Sequence, residues 1–123
     1  LVFAIPAVKG IEFGNGFDCT ELFGSENNDE FVIKNGTVET ATNNHGGILG
    51  GISSGMPITL NVAIKPTPSI AKPQATVDYS NMSNEVLEIK GRHDPCIVPR
   101  AVPCVEAAVS LAILSHMLDY PNF

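Results

Sequence analysis

The pattern of apolar and polar positions predicts a small number of strands ahead of one long helix. Residues 8–13 partly alternate and end at Gly14 and Gly16, which indicates a short strand followed by a turn. Residues 58–64 are rich in β-branched side chains and predict a strand with a partly buried surface. Residues 85–90 alternate cleanly and predict a half-exposed strand.

Polar segments separate these predicted strands. A brief helix is expected over residues 19–23, ended by Gly24. Residues 25–44 are rich in asparagine and predict a mobile loop, with a hairpin at residues 31–37. Residues 70–84 are polar and are expected to form turns.

The C-terminal part predicts a helix from Arg100 to about Asp119 that is apolar on most sides. Such a helix is expected to be central and covered by protein. Pro99 and Pro103 fit near its first turn, where backbone N–H groups lack partners. Strands and helix in mixed order, without a βαβ repeat, indicate the α+β class.

Composition and charge narrow the class of protein. The 123 residues are 44% apolar and 16% charged, which suits a single unit able to bury a core. The net charge of −6 argues against a nucleic-acid partner, since phosphate neutralisation needs clustered cations. Gly, Pro or charge interrupts the longest apolar stretches, so no membrane-spanning segment is expected. The chain opens at Leu1 inside an apolar run, which predicts a piece of a longer protein.

The three cysteines form no closely spaced pair. This pattern favours reduced thiols in a cytoplasm over a disulfide framework, and no metal site is expected. Cys96 is expected at or near the core.

The segment HGGILGGISSG, residues 45–55, holds five of the eleven glycines. Glycine permits positive φ and lets backbone N–H groups approach a phosphate or a flat ring. A tight turn between buried strands would explain part of the pattern equally well. His45 is a candidate site residue, and hydrogen bonding to the backbone is the alternative.

Two further segments carry charge and hydroxyl groups. In KPTPS, Lys65, Thr67 and Ser69 suit a phosphate, unless the segment is an ordinary strand exit with a surface lysine. In GRHDPC, residues 91–96, Arg92 can bind a phosphate or a carboxylate as a fork. Asp94, restricted by the proline that follows, can move a proton if burial raises its pKa. The alternative is an ion pair of Arg92 with Asp94 or with a glutamate at the end of a strand.

Arg100 raises a separate question, because a cation at a helix N-terminus opposes the helix dipole. A bound anion would relieve this conflict. Neutralisation by Asp94 or Glu106 is the alternative.

Four segments in register resemble one family. They are IPAVKGIEFGNGF (5–17), NNHGGILGGISSG (43–55), KPTPS (65–69) and GRHDPCIVPRAVPCVEA (91–107). Their order and spacing are similar to those of the C-terminal part of the catalytic domain of chorismate synthases. The resemblance implies an α+β sandwich, with antiparallel sheets packed on a central apolar helix, in a cytoplasmic homotetramer. It also implies conversion of 5-enolpyruvylshikimate 3-phosphate to chorismate by trans-1,4-elimination of phosphate, with reduced FMN. NADPH serves as reductant in those members that reduce their own flavin.

The resemblance assigns roles to individual residues. Asp94 matches an aspartate that handles a proton near the flavin ring, and Arg92 also meets the substrate phosphate or carboxylates. The implied flavin contacts are Pro6, Ala7, Gly50, Lys65, Pro66, Thr67, Pro68, Ser69 and Arg92. The residues carried only as lining candidates are His45, Gly46, Gly47, Gly51 and Arg100.

The resemblance also has a gap. In the family, two active-site histidines and several substrate-binding arginines belong to an N-terminal half that has no counterpart here. The chain alone is therefore expected to form no chorismate. Two alternatives remain open: a non-catalytic flavin-binding or oligomerisation core, and a phosphate-binding or cysteine-dependent hydrolase acting through Cys96.

Overall fold

A computed structural model describes residues 1–120 of the chain. They form two compact units, one of residues Val2–Ile64 and one that begins at Lys65, with Leu1 grouped with the second. Both units contain antiparallel strand pairs, and the second carries one long helix. The predicted α+β class is confirmed.

The first unit holds three antiparallel pairs, β1–β6, β2–β3 and β4–β5. The strands are β1 (Val8–Phe13), β2 (Phe31–Lys34), β3 (Thr37–Thr40), β4 (Ile48–Leu49), β5 (Ile52–Ser53) and β6 (Leu60–Ile64). β1 has its predicted bounds, and β6 confirms the strand predicted over residues 58–64 but begins at Leu60. Val8, next to a bulge in the β1–β6 pair, is the only buried hydrophobic residue among residues 1–120. The core expected from composition is therefore not formed within this part of the chain.

The hairpin predicted around Asn35 and Gly36 is confirmed as β2–β3 and extends to Thr40. Both turn residues have positive φ, 52° and 83°, which gives the twist that a two-residue hairpin needs. The expected mobile loop over residues 25–44 is therefore largely a hairpin.

The predicted helix over residues 19–23 is wrong in its bounds. A 3₁₀ turn spans Gly16–Glu21, and a short helix α1 spans Gly24–Asn27. Gly24 begins a helix instead of ending one. The reason is local, because the Glu26 carboxylate accepts the backbone N–H of Phe23 at 2.8 Å and so satisfies a donor at the start of α1.

The second unit contains β7 (Gln74–Asp78), β8 (Ser83–Leu87) and the helix α2 (Val98–Asp119). β7 lies where turns were expected, and β8 begins and ends earlier than the strand predicted over residues 85–90. The Asp78 carboxylate orders the connection, accepting the amide of Ser80 at 2.8 Å and the side chain of Asn81 at 2.7 Å. This Asx-type turn lets a polar segment form an antiparallel pair.

The helix α2 differs from its prediction in two respects. Pro103 lies inside it and not in the first turn, so the carbonyl of Pro99 lacks its helical N–H partner. No residue of α2 is buried, and Leu111 and Met117 are 59% and 65% exposed. The protein cover expected around this helix is not supplied by residues 1–120.

By length and composition alone, α2 is also apolar enough to cross a membrane, with a mean hydropathy of 1.7. The sequence predicted no segment long and apolar enough to span a membrane, and α2 corrects that prediction as regards length and composition. The finding is weak evidence for a membrane, because a core helix of a soluble protein can have the same length and composition.

Candidate functional site

The structure brings the KPTPS and GRHDPC segments together in the second unit. The Ser69 hydroxyl lies 3.2 Å from Nδ1 of His93, and Nε2 of His93 lies 3.1 Å from the carbonyl oxygen of Ile89. A carbonyl only accepts, so Nε2 donates and, in the neutral ring, Nδ1 accepts the hydroxyl of Ser69. His93, which lies between Arg92 and Asp94 in the chain, thus joins the two segments. Sequence reasoning missed this role for His93.

Thr67, in the centre of KPTPS, has a buried hydroxyl oxygen without a hydrogen-bond partner in the described part of the chain. Buried hydroxyl groups are almost always hydrogen-bonded, because leaving one unpaired costs about 1–3 kcal/mol. An oxygen or nitrogen atom of a ligand would supply the missing partner. The residues present therefore fit a flavin or phosphate ligand at this segment.

Asp94 pairs with Arg100, whose Nη1 lies 3.0 Å from Oδ2 of the carboxylate. Asp94 thus neutralises Arg100 in the first turn of α2, which is one of the alternatives left open by the sequence. The side chains are 39% and 73% exposed, so the pair contributes about 1 kcal/mol or less. Arg92 is exposed and makes no ion pair among residues 1–120, which leaves its guanidinium available to an anion.

Cys96 is exposed, so the expectation of a thiol at or near the core is wrong. Its neighbour His93 already bonds Ser69 and Ile89 through its two ring nitrogens. The pairing that a cysteine nucleophile requires is therefore not formed.

In the first unit, the glycines of residues 45–55 divide into two groups. Gly46 and Gly47 are buried, and a Cβ on Gly46 would lie 2.2 Å from the backbone nitrogen of Gly14. Close packing of backbone explains these two glycines. Gly50 and Gly51 form the turn between β4 and β5, with φ of 58° and 82°, and a Cβ on either would meet open space. Gly55, with a φ of 86° and open space at its Cβ position, resembles this second group. Gly50, Gly51 and Gly55 therefore present free backbone to a ligand.

Pro6 and Ala7 occupy the centre of a turn in which the amide of Val8 donates to the carbonyl of Ile5 at 3.3 Å. Ala7 has a φ of 71°, a conformation that usually requires glycine and costs an alanine about 1–2 kcal/mol. Strain of this kind often occurs at binding sites.

His45 belongs to a network that sequence reasoning did not find. The Asp29 carboxylate accepts the Thr42 hydroxyl at 2.5 Å, the amides of Asn44 and His45 at 2.8 and 2.9 Å, and Nδ1 of the His45 ring. On its other side, Nε2 of His45 lies 2.7 Å from the Ser54 hydroxyl. No local signal pairs Asp29 with His45, because 16 residues and a hairpin separate them.

The pKa of Asp29 is lowered from 3.8 to about 2. Burial alone would raise it, but the hydrogen bonds from Thr42, Asn44 and His45 together outweigh burial. The carboxylate is therefore ionised throughout the neutral and mildly acidic range.

The lowered pKa of Asp29 predicts that the folded chain loses stability in acid. Because the folded pKa lies below the unfolded value, the stabilisation is complete above the unfolded value of 3.8 and is lost as pH falls toward about 2. We expect Asp29→Asn to flatten the pH dependence of the free energy of unfolding in this window, measured by urea denaturation. Some slope will remain, since backbone hydrogen bonds also lower the pKa of Glu12 and of Asp78. Asp18→Asn, which removes one exposed carboxylate, is the control for the loss of a negative charge, and equal slopes in the parent and in Asp29→Asn would contradict the assignment.

The candidate residues are distributed over both units. Pro6, Ala7 and Gly50 belong to the first, whereas residues 65–69, Arg92 and Asp94 belong to the second. That all of them meet one flavin stays a prediction.

Comparison with known proteins identifies the family. A family model described as chorismate synthase matches residues 1–118. Chorismate synthases of Archaeoglobus fulgidus and Thermococcus gammatolerans are 61% and 57% identical over 117 residues, which is 95% of this chain in each case. The chain spans 32% and 33% of their lengths, about a third. A crystal structure of chorismate synthase is 43% identical with a TM-score of 0.53, over 55% of this chain and 20% of that one. The chain belongs to the chorismate synthase family.

Proposed function

We propose that this chain forms a flavin- and phosphate-binding part of a chorismate synthase. The complete enzyme would convert 5-enolpyruvylshikimate 3-phosphate to chorismate and phosphate by trans-1,4-elimination, as a carbon–oxygen lyase of the shikimate pathway. One observation carries the proposal: the Ser69–His93 contact of 3.2 Å joins GRHDPC to KPTPS, the segment that also holds the unpaired buried hydroxyl of Thr67.

The polar groups of this site suit the anions involved. The proposed substrate carries one phosphate and two carboxylates, and FMN adds a second phosphate. Lys65 and Arg92 are both exposed and form no ion pair within residues 1–120, so they can bind these anions. The hydroxyls of Thr67 and Ser69 would donate hydrogen bonds to the flavin phosphate or ring.

Asp94 is proposed to hold and move the proton near the flavin. When bound, reduced FMN supplies electron density transiently and undergoes no net change in oxidation state. Nη1 of Arg100 lies 3.0 Å from Oδ2 of Asp94. Arg100 is therefore proposed to orient the Asp94 carboxylate and not to bind the substrate itself.

The wider assignment follows the family resemblance. We propose that the complete enzyme is a cytoplasmic homotetramer, with NADPH as reductant only if it reduces its own flavin. The exposed apolar side chains of α2 support an assembly that covers this helix. The same observation favours the second candidate function, a non-catalytic oligomerisation core, which would assemble without binding FMN.

Substitution of Thr67 by valine tests the flavin site. Valine keeps the shape and removes a buried hydroxyl that has no partner in the described residues, so the apo chain should be equally stable or about 1 kcal/mol more stable. We expect its affinity for FMN, measured by fluorescence titration, to fall about tenfold. The control Thr76→Val, at an exposed position on β7, should leave both values unchanged. Parental FMN affinity in Thr67→Val would remove Thr67 from the site, and absence of FMN binding by the parent chain would favour the oligomerisation core.

The 123-residue chain by itself is expected to form no chorismate from 5-enolpyruvylshikimate 3-phosphate and reduced FMN. The family resemblance implies the reason, since the two active-site histidines and several substrate-binding arginines of the family match no residue of this chain. The measurement is anaerobic turnover followed by the absorbance of chorismate. Formation of chorismate above the rate of the flavin-only control would contradict this expectation.

A further inference from the structure

The chain of hydrogen bonds from Asp29 through His45 to Ser54 lies at the base of the hairpin formed by β4 and β5. We infer that these three residues, the Asp29 clamp, are positioning residues that fix this hairpin so that Gly50 at its tip can meet the flavin. The inference rests on the proposed function and on the flavin contact that the family resemblance implies for Gly50.

The clamp connects the two ends of the β4–β5 hairpin. His45 precedes β4 and Ser54 follows β5, and their side chains meet at 2.7 Å. The amide of Ser54 also donates to the carbonyl of Gly47 at 2.9 Å. Each strand of this hairpin has only two residues, and an isolated pair of that length is not stable in water. Bonds at its base therefore decide how rigidly the tip is held.

The clamp is itself anchored to a well-buried position. Thr40, only 2% exposed, donates its hydroxyl to the carbonyl of Thr42 at 2.6 Å, and the Thr42 hydroxyl donates to Asp29. The side chains of Asp29 and His45 are 6% and 7% exposed, so water competes little for their hydrogen bonds. A continuous series of hydrogen bonds therefore connects the β2–β3 hairpin to the base of the β4–β5 hairpin.

The ionisation of Asp29 fixes the direction of donation. Its carboxylate only accepts, so Nδ1 of His45 carries a proton and donates to it. In the neutral ring, Nε2 is then the acceptor, and the Ser54 hydroxyl donates to it. Each side chain in the clamp therefore has a partner of the correct type.

An Asp–His–Ser series in this order also occurs in serine hydrolases, where the serine is a nucleophile. Such a nucleophile needs free backbone N–H groups beside it for the developing oxyanion. Here the amide of Ser54 donates to Gly47, and the amide of Met56 points to the Ser54 hydroxyl at 3.4 Å. Of the amides at residues 54–56, only that of Gly55 is left without a partner within residues 1–120, and one donor does not make the pair that an oxyanion hole needs. The geometry therefore favours a positioning role.

Three serine variants test the clamp in the apo chain by amide hydrogen exchange. Ser54→Ala removes the hydrogen bond between Ser54 and His45, whereas Ser54→Thr keeps the hydroxyl. Ser53→Ala, at the neighbouring exposed serine, is the control. We expect exchange of the amides of residues 48–53 to become about tenfold faster in Ser54→Ala, and to stay at the parental rate in the other two. Amides of β1 and β6 should be unaffected in all three, which separates loss of the clamp from general unfolding.

FMN titration of the same variants tests the purpose of the clamp. We expect FMN to bind about tenfold more weakly to Ser54→Ala, with recovery in Ser54→Thr. Parental exchange rates in Ser54→Ala, unchanged FMN affinity despite faster exchange, or labelling of Ser54 by a fluorophosphonate would each overturn the inference. Absence of FMN binding by the parent chain would overturn the proposed function instead, while the exchange rates still test the clamp.

Discussion

In a complete chorismate synthase that contains this chain, Asp94→Asn is expected to lower turnover by about 10²–10⁴-fold. Asparagine keeps the size of the side chain but cannot accept and release a proton at this position. FMN binding should remain near the parental value, because Asp94 bonds Arg100 and not the KPTPS segment. The measurements are kcat with saturating substrate and reduced FMN, together with a flavin titration of the same protein.

The ion pair supplies the matched control for this prediction. Arg100→Gln breaks the same 3.0 Å contact but leaves the Asp94 carboxylate in place. Because the pair is largely exposed, we expect its loss to change turnover by less than about tenfold. Equal losses in both variants would assign the effect to the ion pair, and near-normal turnover in Asp94→Asn would exclude Asp94 from the chemistry.

Gly46→Ala is expected to lower the free energy of unfolding by about 3 kcal/mol or more. A Cβ at this position would lie 2.2 Å from the backbone nitrogen of Gly14 and 2.7 Å from its Cα. Two backbone segments would have to separate, and the residue would also keep an unfavourable φ of 65°. Urea denaturation of the parent and the variant gives the difference directly.

Gly36→Ala separates the two contributions to that loss. Gly36 also has a positive φ, 83°, but a Cβ there would meet nothing within 4 Å. We expect this variant to lose about 1–2 kcal/mol from backbone strain alone. If both variants lost the same amount, the close approach of Gly46 to Gly14 would contribute nothing to stability.

The sequence predicted the elements whose signals are local. β1 follows from its bounding glycines, the β2–β3 hairpin from Asn35-Gly36, and α2 from a long apolar run. β7 was missed because Gln74–Asp78 has little apolar pattern of its own and pairs with β8 through a turn organised by Asp78. For α2, composition indicated an apolar surface but gave no information on what covers it.

The candidate site, like the fold, was predictable from the sequence only in part. Four segments of local sequence were sufficient to identify the family and to single out Asp94 and Arg92. The partners of these segments were not predictable, since Ser69 and His93 are 24 residues apart and Asp29 and His45 are 16 apart. The sequence left both Arg92 and Arg100 as possible partners for Asp94, and the structure assigns Arg100.

The sequence by itself therefore determined the family, the α+β class and the chemical groups available for binding anions. Only the tertiary structure decided which glycines serve backbone packing, which arginine is neutralised and which hydroxyl lacks a partner. The physical reason is the separation along the chain over which each kind of interaction acts. Backbone preferences act over a few neighbouring residues, whereas hydrogen bonds and close packing depend on distances that folding sets between residues far apart in the chain.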